Sequence, residues 1–221
     1  MKLINNQSIT LISEVKAVLV HNSEVLIATG YFTIPALFEL ITHIKNVKSV
    51  KVLIDANVDT DIRFAYYEKE FNKYFALDAK FKAASVYELI KKKFQIRYGN
   101  VGGQKFILVK NPDKIHCFSL VAQDVNCITL GVETNHCPIV LTYFEDIEGQ
   151  FLNLFEQFWN NSPKDVKDLV LNMIQKAVKD NSPEFLYKYT LFNLFQHSTL
   201  NEESEQRIDR IGFKQTQVWS M

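Results

Sequence analysis

A chain of 221 residues that is 47% hydrophobic has enough apolar material for one large domain, or one domain with a helical appendage, and its composition excludes a disordered polymer. Twenty-five basic residues balance twenty-five acidic ones, so no overall field draws the chain to nucleic acid or a membrane, and any such attraction has to come from a local patch. No apolar run reaches the roughly 18 to 20 residues of a membrane span, and three cysteines (Cys117, Cys127 and Cys137) without CxxC spacing or a signal peptide predict reduced thiols in a cytoplasm and no metal site.

Ser8 reads as the N-cap of a first helix, in which Ile9, Ile12, Val15 and Leu19 recur at helical spacing as far as His21 and Asn22. Glu24 to Phe32, EVLIATGYF, is β-rich and almost wholly apolar, which suits a strand buried on both faces. Thr33 caps a second helix with Pro35 in its first turn and Leu37, Leu40, Ile41 and Ile44 as its stripe, and the strand Val50 to Asp55 follows. Helix, strand, helix, strand with short links predicts an α/β layer with a parallel pair. Asp61 to Lys93 has an amphipathic helical pattern with a break near Asp78. Phe94 to Tyr98 is a short strand, and Asn100, Gly102 and Gly103 turn the chain into a strand over Lys105 to Lys110.

Asn111, Pro112 and Asp113 turn the chain again into the stretch Asp113 to Asn135, read as a strand, a short turn and a second strand ending near Gly131 and Asn135. Strand alternation puts His116 and Phe118 on one face and Ile115 and Cys117 on the other. Pro138 to Phe144 is a further strand. Ile147 to Asn160 is a helix with Phe151, Phe155, Phe158 and Trp159 on one side, and the α/β domain ends at residue 161. Residues 162 to 221 read as a small all-α connector, with start signals at Ser162-Pro163 and Ser182-Pro183 and a very apolar helix from Phe185 to Phe195. Its last residues, GFKQTQVWSM, predict a fragment of something longer.

His116, Asp124, Gly131 and Asn135 together resemble the signature of the phospholipase D superfamily, in which a histidine is followed by a lysine two residues on, an aspartate, a Gly-Ser and an asparagine. The lysine position holds Phe118, the serine position holds Val132, and the His-to-Asp spacing is one residue long. A second alignment sets GVETNHC on the family's later Asn-x-Glu, with Cys137 at the glutamate. The resemblance implies a phospholipase D-like mixed sheet flanked by helices over residues 1 to 161. Its chemistry would use His116 as nucleophile, with Asp124 and Asn135 beside it, and would need the missing ammonium to hold the phosphoryl oxygens. A satisfied strand histidine is the alternative state of His116, and an exposed loop histidine that of His136.

The connector resembles the segment that joins such a domain to a superfamily 2 helicase core in bacterial restriction or defence helicases. It therefore implies an N-terminal accessory domain that binds DNA or docks a partner, an absent ATP- and Mg-dependent motor as its own C-terminal partner, and no cofactor in these residues. The rival reading is a metal-independent nuclease or phosphodiesterase that pairs two copies of His116 in a homodimer, and a third is a purely architectural dimerisation domain. For nucleic acid, the candidates are Lys91, Lys92, Lys93, Arg97, Lys105, Lys110 and Lys114, a local basic excess leading into the motif, with Tyr31 to stack on a base. Helix-end and edge-strand charges that oppose aggregation are the plain alternative for the same lysines.

Overall fold

The computed structural model describes residues 1–44, 46–56, 78–121, 123–132 and 140–178. It centres on three parallel neighbours, β2 (Glu24–Thr29), β3 (Ser49–Asp55) and β4 (Phe94–Gly99), whose β2–β3 pair is the one expected from the sequence. Their near-continuous apolar sequence follows from burial on both faces. α2 (Ile34–His43) makes the crossover from β2 to β3, and its start is the expected one: Thr33 Oγ1 accepts the Ala36 N–H at 3.3 Å and Pro35 sits in the first turn. α3 (Asp78–Lys93) leads into β4, and the earlier part of that helical stretch lies outside the described residues.

On the other side of β2, the antiparallel strands β5 (Phe106–Lys110), β6 (Ile115–Ser119) and β7 (Leu141–Glu145) follow in turn. Two short strands that sequence pattern did not reveal close the edges: β1 (Lys2–Ile4) against β7 and β8 (Lys164–Asp165) against β4. The sheet order is thus β1-β7-β6-β5-β2-β3-β4-β8, a mixed α/β architecture.

Strand alternation sorts the sheet into two cores. Val25, Ile27, Val52, Ile96, Ile107 and Phe118 face a layer built from α1 (Leu11–Val18), α2 and α3, together with later helices. Leu26, Ala28, Leu53, Phe106, Leu108 and Cys117 face Phe155 and Trp159 of α5 (Gln150–Asn160). Burial of those two aromatic rings is worth roughly 3 kcal/mol each, and it anchors α5 across the sheet.

Four element assignments are corrected. The first helix starts at Thr10, whose hydroxyl accepts the Ser13 N–H, because Asn5 Oδ1 takes the N–H groups of Gln7 and Ser8 into a turn ahead of it. The second motif strand is instead a short helix, α4 (Cys127–Leu130): Asn126 Oδ1 accepts the Thr129 N–H at 2.8 Å, and Gly131 ends the turn at φ 75°. The helix expected from Ile147 starts at Gln150, since Asp146 Oδ2 accepts the N–H groups of Phe151 and Leu152, both at 3.0 Å, and holds Ile147 in the turn before it. The sheet also runs past residue 161. β8 pairs with β4, α6 (Lys167–Val178) buries Val170 and Ile174 in the same core, and the first compact unit is Met1–Lys179. Ser162 is not a cap; its hydroxyl donates to the Phe158 carbonyl at 2.6 Å.

Candidate functional site

β6 places His116 on the face shared with Phe118, as the alternation requires, with Val109 of β5 and Glu145 of β7 as its register partners. The imidazole is 7% exposed. Its Nδ1 lies 3.0 Å from the Tyr143 hydroxyl, and the two rings stack with centroids 6.0 Å apart. Burial lowers the His116 pKa first of all; the Lys114 charge lowers it further, while Glu145 and Asp113 oppose. A neutral imidazole with one nitrogen engaged is thus the ground state near neutrality. Where the resemblance calls for an ammonium, Phe118 is fully buried and stacked on Tyr143 at 5.1 Å. Lys114, the nearest cation in sequence, points its ammonium to Glu145 at 3.0 Å.

Asp124 belongs to a different place. Its Oδ1 accepts the Gly30 N–H at 2.7 Å, the Tyr31 N–H at 3.3 Å and the Thr29 hydroxyl at 3.2 Å, and its Oδ2 binds Lys105 Nζ at 2.8 Å. Both charged side chains are largely buried, at 13% and 18% exposure. A Cβ on residue 30 would come within 2.7 Å of Oδ1, so only glycine allows this approach. The carboxylate ties the end of β2 to the start of β5, and Val125 then bridges to Phe32 and accepts the Thr33 N–H.

These two groups are not brought together. His116 lies level with Val25 across β5, whereas Asp124 meets Gly30, five residues further along β2, or about 17 Å at the rise of a strand. Tyr31 is at the Asp124 end. Asn135, like His136 and Cys137, lies outside the described residues. Among the described residues, no group of three or more His, Cys, Asp or Glu side chains is placed to hold a metal ion.

The basic candidates divide in a way their sequence proximity conceals. Lys105 precedes β5 and Lys110 ends it, so they lie at opposite ends of the sheet, and Lys105 is committed to Asp124. Arg97 is committed as well: its guanidinium lies 4.4 Å over the Trp159 ring and donates to the Trp159 carbonyl at 3.0 Å. The others gather. Lys114 precedes β6, Lys110 ends β5, and Lys91, Lys92 and Lys93 precede β4, all at the end of the sheet where β2 and β3 begin. Lys48, which precedes β3 and was not a sequence candidate, completes the row. Across β6, β5, β2, β3 and β4 it spans about 19 Å. Lys48 and Lys114 are in exposed ion pairs with Glu24 and Glu145, Lys92 is 3.8 Å from Glu88, and Lys93 Nζ donates to the Val47 carbonyl.

Sequence reasoning also missed Asn6. Its Nδ2 donates to the carbonyls of Ile128 and Thr129 at 3.0 and 2.7 Å, and its Oδ1 accepts the Leu11 N–H at 2.9 Å, so one side chain closes α4 and opens α1. The single hint is its residue type, since asparagine tolerates the positive φ of 54° found there. No protein-family model matches the sequence, and no curated protein matches it.

Proposed function

We propose that the chain is a phospholipase D-like domain without the family's phosphoryl-transfer chemistry, the N-terminal accessory module of a restriction- or defence-type superfamily 2 helicase, and that it docks on the DNA backbone. The observation that carries this reading is the lysine row along one end of the sheet, six cations at the ends or lead-ins of four of five adjacent strands. An exposed ion pair such as Lys114–Glu145 contributes little and gives way readily to phosphates. The loss of catalysis is supported by Phe118, which fills with an aromatic ring the space an anion-binding ammonium would need. In this reading ATP and Mg²⁺ serve a motor outside these residues.

The test is fluorescence anisotropy of a labelled duplex at several salt concentrations. Affinity falls steeply with salt, and the Lys48→Gln/Lys91→Gln/Lys92→Gln variant lowers the slope of log K against log salt by about 0.9 for each phosphate contact removed. Binding that is absent at low salt, or unchanged in that variant, contradicts the proposal and favours a docking role on protein.

A further inference from the structure

Between α5 and the starts of β2 and β3 lies a cleft of about 150 Å³ that neither the histidine site nor the lysine row accounts for. Its floor is the face of the sheet that packs on α5, carrying Leu26, Glu24, Lys51 and Lys110, and its wall includes Phe155 and Trp159. Glu24, Lys51 and Lys110 are half-buried there, and a partly desolvated charge is better held with a partner than without one. Glu24 has its partner, Lys48 Nζ at 2.7 Å. Among the described residues neither Lys51 nor Lys110 has an ion-pair partner; Lys51 Nζ lies 5.5 Å from the centre of the Trp159 ring.

The register sets the two lysines on either side of β2: Lys110 is the partner of Glu24 on β5 and Lys51 that of Leu26 on β3, and both line the cleft. The lining holds two ammonium groups and two carboxylates, but Glu24 is already neutralised by Lys48 from outside the cleft, which leaves Lys51 and Lys110 against Glu156 alone and favours an anion. The volume matches a cavity that admits one benzene-sized ring and falls below the roughly 300 Å³ at which drug-sized ligands begin.

We propose that this cleft binds a small organic anion, a carboxylate or phosphate monoester bearing one ring, with its charged end between Lys51 and Lys110 and its ring against Trp159. The site is distinct from the lysine row in Lys51, which lies on the face of the sheet rather than at its end, while Lys110 and Lys48, the partner of Glu24, belong to both. Two ammonium groups in a partly desolvated cleft give charge-assisted bonds that a neutral ligand cannot make.

The test uses the full chain with Trp219→Phe, so that Trp159 is the sole indole, titrated by fluorescence with benzoate, phenyl phosphate, benzyl alcohol and inorganic phosphate. A saturable response is expected with benzoate or phenyl phosphate at millimolar concentration, and benzyl alcohol and inorganic phosphate bind at least about tenfold more weakly. Lys51→Met/Lys110→Met weakens the organic anion by at least about tenfold, while Lys51→Arg/Lys110→Arg retains it; circular dichroism checks that both variants fold. No saturable response to either organic anion overturns the proposal, as does benzyl alcohol binding equally well, inorganic phosphate matching phenyl phosphate, or a folded methionine variant that binds like the parent. Should the methionine variant not fold, the ligand comparison and the arginine variant still decide.

Discussion

Replacing Asp124 with alanine discriminates between a structural tie and a catalytic carboxylate. The side chain accepts two backbone N–H bonds and the Thr29 hydroxyl, and it neutralises Lys105 at 2.8 Å in a setting where the pair is 13% and 18% exposed. Removing one partner of a fully buried pair costs about 3 to 5 kcal/mol; with this residual exposure we expect about 3 kcal/mol. For a unit of this size that is a fall in Tm of about 6 to 12 °C. Urea and thermal unfolding followed by circular dichroism measure both. Asp124→Asn, which keeps an acceptor, costs less. In Asp124→Ala/Lys105→Met the stranded ammonium is gone, so the double variant recovers about 1 kcal/mol or more relative to the sum of the single changes. A stability for Asp124→Ala within about 0.5 kcal/mol of the parent, the range of an ordinary surface change, would refute the tie.

Three further outcomes follow from the same geometry. His116 and His43 both have pKa values below the ordinary 6.5, in each case chiefly through burial, with Lys114 and Lys16 respectively adding to it. The unfolded chain therefore takes up these protons first, so the stability they lend is complete above about pH 6.5 and is lost as the pH falls through the folded values. Unfolding free energies measured from about pH 7.5 down to 5 should decline, and His43→Gln/His116→Gln should flatten that slope. Gly131→Ala forces a side chain into positive φ with its Cβ 2.8 Å from Thr10 Cβ, and should cost about 2 kcal/mol or more in urea unfolding. Phe118→Lys, which puts a lysine where the phospholipase D pattern has one, buries an unpaired ammonium; it should destabilise the fold by more than about 4 kcal/mol and confer no phosphodiesterase activity.

The features legible in sequence were those with a short-range physical cause. The apolar run EVLIAT required burial on both faces, Thr33 with Pro35 required a helix start, and the alternation through Ile115, His116, Cys117 and Phe118 assigned each to its core. What stayed hidden depended on partners far away in the chain. Four residues, CITL, are too few for a helical period to emerge, and α4 owes its form to Asn126 and to Asn6, more than 120 residues earlier. Lys105 and Lys110 read as one patch because sequence distance ignores that a strand of five residues has two ends. The histidine motif suffers the same ambiguity: spacing placed Asp124 near His116, whereas the turn after β6 delivers it to Gly30. Conversely, Lys48 joins the lysine row only because β3 starts beside Glu24.

With its imidazole hydrogen-bonded to Tyr143 and backed by a buried Phe118, His116 is proposed here not to transfer phosphoryl groups. Its most direct measurement is hydrolysis of bis(p-nitrophenyl) phosphate by the full chain, with and without EDTA, alongside His116→Ala. No turnover above the His116→Ala background is expected under either condition. Turnover that persists in EDTA and vanishes in His116→Ala would contradict it.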